Sequence, residues 1–441
     1  MRPSLGSYAL VGLVAAVVTW ALVPFSRWLA LRLGAVVAPD ERRVHRWPTP
    51  TLGGMAMLGG LLAAIASASV LDGFGAMFDS SSEITGIVAA AVVMYAVGFI
   101  DDLREVSAPA KTAGMVLAGS ILSISGVSLV FFRVPFSGFL VLSADLSALV
   151  TVLWVIGMAN AVNLIDGLDG LAAGIVGIAA AAFFVYTQQL ADNELLRPPN
   201  ASPLIAVAVV GICVGFLPHN FHPARVFMGD GGALLLGLLM AAATISVGGR
   251  TRDQFSGQTY FFFAPLIIPI LILGVPILDT ASSFFRRLVR RQSWSQGDRE
   301  HLHHRLMRLG HGPRRSVVIL WCWTALLSAT ALVPSYTNRG NALVPIALLG
   351  LALVLYSLFH PGVVEARRES RAAVSAQALG DSPVDEHGDG LADEPTQEVP
   401  ITRVTDDGED DGVGDDGGES DVAEVVDLEA RRRAAGGGRG A

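Results

Sequence analysis

The chain has 441 residues, 52% hydrophobic and only 16% charged, with a mean hydropathy of +0.53 and a formal net charge of −8. Soluble domains carry about 25% charged residues, so an ordinary soluble globule is excluded. The charge is also divided: residues 1–360 hold 23 Lys and Arg against 18 Asp and Glu, whereas residues 361–441 hold 8 against 21, which excludes a uniformly acidic protein. A helix needs about 20 predominantly apolar residues to cross a bilayer. Eleven such runs follow in chain order, at 8–31, 53–71, 84–100, 112–132, 146–164, 170–189, 203–219, 231–248, 258–280, 316–335 and 342–360. A buried helix of a large soluble protein accounts for one or two of these, not for eleven. The expected fold class is all-α, a polytopic membrane protein with 11 transmembrane helices in residues 1–360. Stretches such as Leu61–Val70 and Ile175–Phe184 are rich in small residues, which let helices approach closely in lipid.

The first run is too long for a signal peptide, its flanking Arg27 and Arg32 lie on the far side, and no small-residue cleavage site follows. With the N-terminus outside, 17 Lys and Arg face inward and six outward, so the positive-inside rule puts the C-terminus in the cytoplasm. Cys213 and Cys322 fall inside apolar runs and suggest neither a disulfide framework nor a cysteine metal site. From residue 361 the chain turns Gly- and Asp-rich with almost no aromatic residues. Such a composition buries too little surface to offset chain entropy, so 361–441 reads as a disordered acidic cytoplasmic tail.

In this topology five polar clusters share the cytoplasmic side. Asp40–Gly54 carries Arg42, Arg43, His45 and Arg46, suited to phosphate as well as to an ordinary positive-inside loop. Asp101 and Asp102 end the third run, with Lys111 nine residues after Asp102. Adjacent carboxylates repel unless a cation lies between or near them, and Mg²⁺ commonly joins carboxylates to substrate phosphate. Asn160 and Asn163 share the last turn of the fifth run, and Gly167 and Gly170 place Asp166 and Asp169 on a tight loop. Asp230 is expected at a helix N-cap before Gly231 and Gly232, where an ordinary capping role and a phosphate or metal–phosphate site are both open. His301, His303, His304 and Arg305 form a basic loop; a zinc site needs ligands from more than one short stretch, and phosphate donors fit better beside nine arginines between Arg286 and Arg315.

Together DD with a Lys nine residues on, NxxNxxDGxDGL, FMGDxGxL and HxHHR, in this order from Asp40 to Arg315, resemble the polyprenyl-phosphate N-acetylhexosamine-1-phosphate transferase family, the WecA- and MraY-like membrane enzymes. The resemblance implies transfer of a sugar 1-phosphate from a UDP-sugar to a polyprenyl phosphate, releasing UMP, with Mg²⁺ as cofactor and Mn²⁺ as the alternative ion. It implies Asp230 as the main metal ligand with Asn163 assisting, and places Asp101 and Asp102 near the lipid phosphate that Lys111 contacts. Asp169 corresponds to the residue reading the uracil edge and Phe227 to an aromatic stacking on it. Asn160, Asp166 and His45 join the expected substrate-binding set, and His301, as a catalytic candidate, joins His303, His304 and Arg305 in an element resembling a sugar- and diphosphate-binding loop.

The HLHHR spelling is similar to the GlcNAc-1-phosphate branch, with phospho-MurNAc-pentapeptide transfer as the alternative. Lipid phosphate is largely dianionic at pH 7, its second pKa being about 6; Asp101 is therefore expected to position as much as to act as a base. The expected partners are the UDP-sugar, the lipid and the plasma membrane, with no nucleic acid; a homodimer is left open. A transporter is the competing class, but transporters gather polar groups at the bilayer midplane rather than along one face.

Overall fold

The computed structural model describes residues 2–37, 48–79, 81–129, 131–134, 138–196 and 198–247, short pieces within 274–282, and residues 305–307, 309–337 and 340–360. These all belong to the compact unit Met1–Asp381. The acidic tail from residue 361 lies outside the described residues, as does nearly all of the run at 258–280.

Helix α1 (Leu5–Leu33) starts where the Ser4 side chain accepts the Ser7 N–H at 3.0 Å and stops at Gly34, whose φ is 71°. There follow α2 (Gly53–Val70), the short α3 (Gly75–Asp79), α4 (Glu83–Leu103), α5 (Ala108–Ile124), α6 (Ala144–Ile165), α7 (Leu171–Asp192), α8 (Ser202–Asn220), α9 (Gly229–Val247), α10 (Pro313–Thr337) and α11 (Leu343–Phe359). Eight helices among the described residues are long and apolar enough to cross a membrane, and α5 and α11 are apolar but shorter.

The fourth run shows the main departure from the expected pattern. Its helix ends at Ile124 rather than at 132, because Gly126 turns the chain at φ 93°. The β-branched and aromatic stretch beyond it pairs instead as an antiparallel ribbon, β3 (Phe131–Val134) with β4 (Gly138–Val141). A second ribbon pairs β1 (Val36–Val37) with β2 (Thr49–Pro50). These two short ribbons sit beside a predominantly helical structure, as the all-α polytopic expectation requires.

At the centre stands α9. Every residue from Gly231 to Val247 is buried, as expected of a helix apolar on all sides. It packs against α2, α4, α6 and α8. Packing between α1 and α8 rests on small residues: a Cβ on Gly211 would fall 2.1 Å from the Gly12 carbonyl oxygen, and one on Gly215 would fall 2.2 Å from that of Ala16. The ends of α4, α6 and α8 meet the starts of α2, α5, α7 and α9, and there the polar residues gather.

Candidate active site

A carboxylate in the last turn of a helix faces the negative end of its dipole and needs compensation elsewhere. Asp101 and Asp102, in the last turn of α4, find it in different places. Lys111 Nζ, from the first turn of α5, donates to Asp101 Oδ2 at 2.8 Å, and the Val106 N–H donates to Asp101 Oδ1 at 2.8 Å. Lys111 also donates to Asp230 Oδ2, so one ammonium joins α4, α5 and α9. Asp102 turns toward the start of α9. Its Oδ1 accepts the Asp230 N–H at 2.8 Å and the Thr51 hydroxyl at 3.3 Å, and its Oδ2 accepts the Gly231 N–H at 3.1 Å.

Neighbouring helical residues project about 100° apart, so of this adjacent pair Lys111 engages Asp101 while Asp102 faces α9. One expectation is corrected here: Asp230 is not an N-cap, because α9 begins at Gly229 and its free N–H groups are capped from another helix. Gly229 has φ 68°, and a Cβ there would lie 2.4 Å from Asp102 Oδ2.

Asp169 lies on the loop between α6 and α7, which Gly170 closes at φ 75°. Its Oδ2 accepts the Ala224 N–H at 3.1 Å and meets His222 Nδ1 at 2.7 Å. Buried Asn220 fastens the same two loops, accepting the Gly170 N–H at 3.0 Å and donating to the Val226 carbonyl at 3.0 Å. Phe227 is half-buried, and its backbone bonds Pro50 and Gly53 at 2.8 and 2.9 Å, bringing the start of α2 against the approach to α9.

Asn160 folds back on its own helix, donating to the Ile156 carbonyl at 2.8 Å. Among the described residues, the side chains of Asn163 and Asp166 have no hydrogen-bond partner and stay available. Arg305 opens a short helical piece with its side chain exposed. His45, His301, His303 and His304 lie outside the described residues.

The glycosyl transferase family 4 model matches residues 84–248, which hold both loops and all the aspartates just described. The chain is 37% identical over 358 residues to the decaprenyl-phosphate N-acetylglucosaminephosphotransferase of Mycobacterium leprae, across 79% of this chain and 89% of that one. The chain belongs to the polyprenyl-phosphate N-acetylhexosamine-1-phosphate transferase family. It is also 32% identical over 312 residues to the probable undecaprenyl-phosphate N-acetylglucosaminyl 1-phosphate transferase of Bacillus subtilis (71% of this chain, 80% of that one). A phospho-N-acetylmuramoyl-pentapeptide-transferase of Desulforudis audaxviator is 33% identical over 329 residues (68% and 90%).

In this member of the family, negative charge is crowded beyond what Lys111 neutralises. Loss of solvent pushes the Asp166 carboxyl up to about 8, and the charges of Asp230, Asp102 and Asp169 push the same way. The unpaired Asp166 carboxylate, near enough to Asp230 to feel its charge, is a hard oxygen donor of the kind Mg²⁺ takes. Among the described residues no three His, Cys, Asp or Glu side chains are grouped for a metal; Mg²⁺ held by one or two carboxylates and substrate phosphate needs no more. The carboxylates of Asp230 and Asp166 are of the chemical kind that such an ion takes. Thr51, Asn220 and His222 are parts of the site that sequence reasoning passed over. Asn220 and His222 stand just before the PARVFMGD stretch, polar residues between two apolar spans, and that signal was present.

Proposed function

We propose that the protein transfers N-acetylglucosamine 1-phosphate from UDP-N-acetylglucosamine to a polyprenyl phosphate on the cytoplasmic face of the plasma membrane. An oxygen of the lipid phosphate attacks the sugar-bearing phosphorus, the P–O–P bond breaks, and UMP leaves with the electron pair. The observation that carries this reading is Lys111 held between Asp101 and Asp230 in a chain of this family. Phosphoryl transfer asks a protein mainly to position its reactants and neutralise charge. Lys111 supplies a fixed cation for the lipid phosphate, and Asp101 aims it. That ion pair supports a positioning role for Asp101, because its Oδ2 is already engaged.

Asp230, with Asn163 and Asp166, would hold Mg²⁺. When bound, the ion neutralises diphosphate oxygens that these acidic residues would otherwise repel. The loop of Asp169, His222 and Phe227 is the proposed seat of the nucleotide. Homologues named for GlcNAc phosphotransfer support the donor, and the pentapeptide transferases support phospho-MurNAc-pentapeptide as the second reading. The test is UMP release by purified protein from UDP-GlcNAc, polyprenyl phosphate and Mg²⁺, with UDP-MurNAc-pentapeptide as competitor. Release from UDP-GlcNAc is expected; release from no UDP-sugar overturns the proposal.

A further inference from the structure

From the hydrogen bonds of Asp102 we infer that it is a positioning residue that acts through α9: it holds the first turn of that helix, and with it the Asp230 carboxylate, at a fixed place beside Lys111. The inference rests on the proposed phosphotransfer. A carboxylate has about four lone-pair sites, and three of those on Asp102 already have donors: the Asp230 N–H, the Gly231 N–H and the Thr51 hydroxyl. Two of these are N–H groups that an α-helix leaves without an internal partner. Asp102 thus does for α9 what an N-cap residue does in its own helix, but from 128 residues away in the chain.

The surroundings leave Asp102 little freedom to do otherwise. A Cβ on Gly98, one turn earlier in α4, would fall 2.4 Å from the Gly231 nitrogen, and one on Gly54 of α2 would fall 2.3 Å from the Gly232 nitrogen. Three backbones therefore meet at the start of α9 with no side chain between them. To accept a proton from a substrate, Asp102 would have to convert an accepting oxygen into a donor and release an N–H group with no other partner. Asp101 carries no such duty: it faces Lys111 and the Val106 N–H.

The experiment uses full-length protein in detergent, with Asp102→Asn and, as a milder variant, Thr51→Val. Hydrogen exchange of the peptide spanning 229–232 is followed without ligand, and UMP release is followed against Mg²⁺ concentration. In Asp102→Asn one oxygen remains to accept, so faster exchange is expected in that peptide. A half-saturating Mg²⁺ concentration about three- to tenfold higher is also expected, the range of a lost helix cap. Thr51→Val shifts both in the same direction by less. Unchanged exchange in folded Asp102→Asn, or an unchanged Mg²⁺ dependence, overturns the inference. If Asp102→Asn does not fold, wild-type behaviour of Thr51→Val in both measurements overturns it. Should wild-type protein release no UMP, the proposed function fails, and the exchange measurement still decides whether Asp102 holds α9.

Discussion

Lys111 stands between two carboxylates, with its side chain only 17% exposed. Replacing it with Met leaves Asp101 and Asp230 facing each other without the ammonium and removes the fixed charge proposed to meet the lipid phosphate. Turnover at limiting polyprenyl phosphate should fall on the order of 10²-fold. Lys111→Arg keeps the charge but not the compact point geometry, so it should recover only part of that loss. Full activity in Lys111→Met would remove Lys111 from the mechanism. Asp169 and His222 form a second unit, 2.7 Å apart. Alanine at either position should raise the KM for UDP-GlcNAc, and the double variant should cost less than the two singles together. A coupling energy of about 0.5–3 kcal/mol is expected for residues in direct contact; additive effects would show that they act separately.

Helix ends, more than helix middles, carry the design. Gly98 is in direct backbone contact with Gly231, and a Cβ there would also lie 2.5 Å from the Gly231 Cα. Gly98→Val must therefore push α4 off α9, displacing Asp102 and Asp230 together, and both melting temperature and UMP release should fall sharply. Gly157 is the matching control. It lies within α6, and a Cβ there meets nothing within 4 Å. Gly157→Ala should leave turnover intact and stabilise the helix by about 0.5–1 kcal/mol. Equal damage from both substitutions would show that the close approach at Gly98 has no special part.

For the molecule as a whole, the crowded carboxylates make stability depend on pH and on divalent cations together. Asp166 sits just beyond α6, raised to about 8 by lost solvent and by its acidic neighbours, against about 3.9 in an unfolded chain. Between those values the folded state holds a proton that the unfolded state has released, so stability falls as pH rises from about 4 to 8. Thermal unfolding in detergent without divalent ions should show that decline, and Asp166→Asn should flatten it. Mg²⁺ favours the charged carboxylate and releases its proton, so the ion should raise the melting temperature more at pH 8 than at pH 6. A cation effect independent of pH would contradict the placement of Asp166 beside the ion.

Sequence alone determined the membrane class, the sites of ten helices among the described residues, and the gathering of Asp101, Asp102, Asp166, Asp169 and Asp230 near their ends. These follow from local properties: an apolar run partitions into lipid on its own composition, and a charge at its end marks the boundary. Even the break at Gly126 was local, although the apolar stretch beyond it hid the change from helix to strand. Only the tertiary structure decided what each oxygen does. Asp101 and Asp102 are neighbours of one type, indistinguishable by composition, yet one binds Lys111 and the other the start of α9. The difference arises because adjacent residues on a helix point about 100° apart, toward partners set by how α4, α5 and α9 pack. Those partners lie up to 129 residues away in the chain, and no local pattern records them.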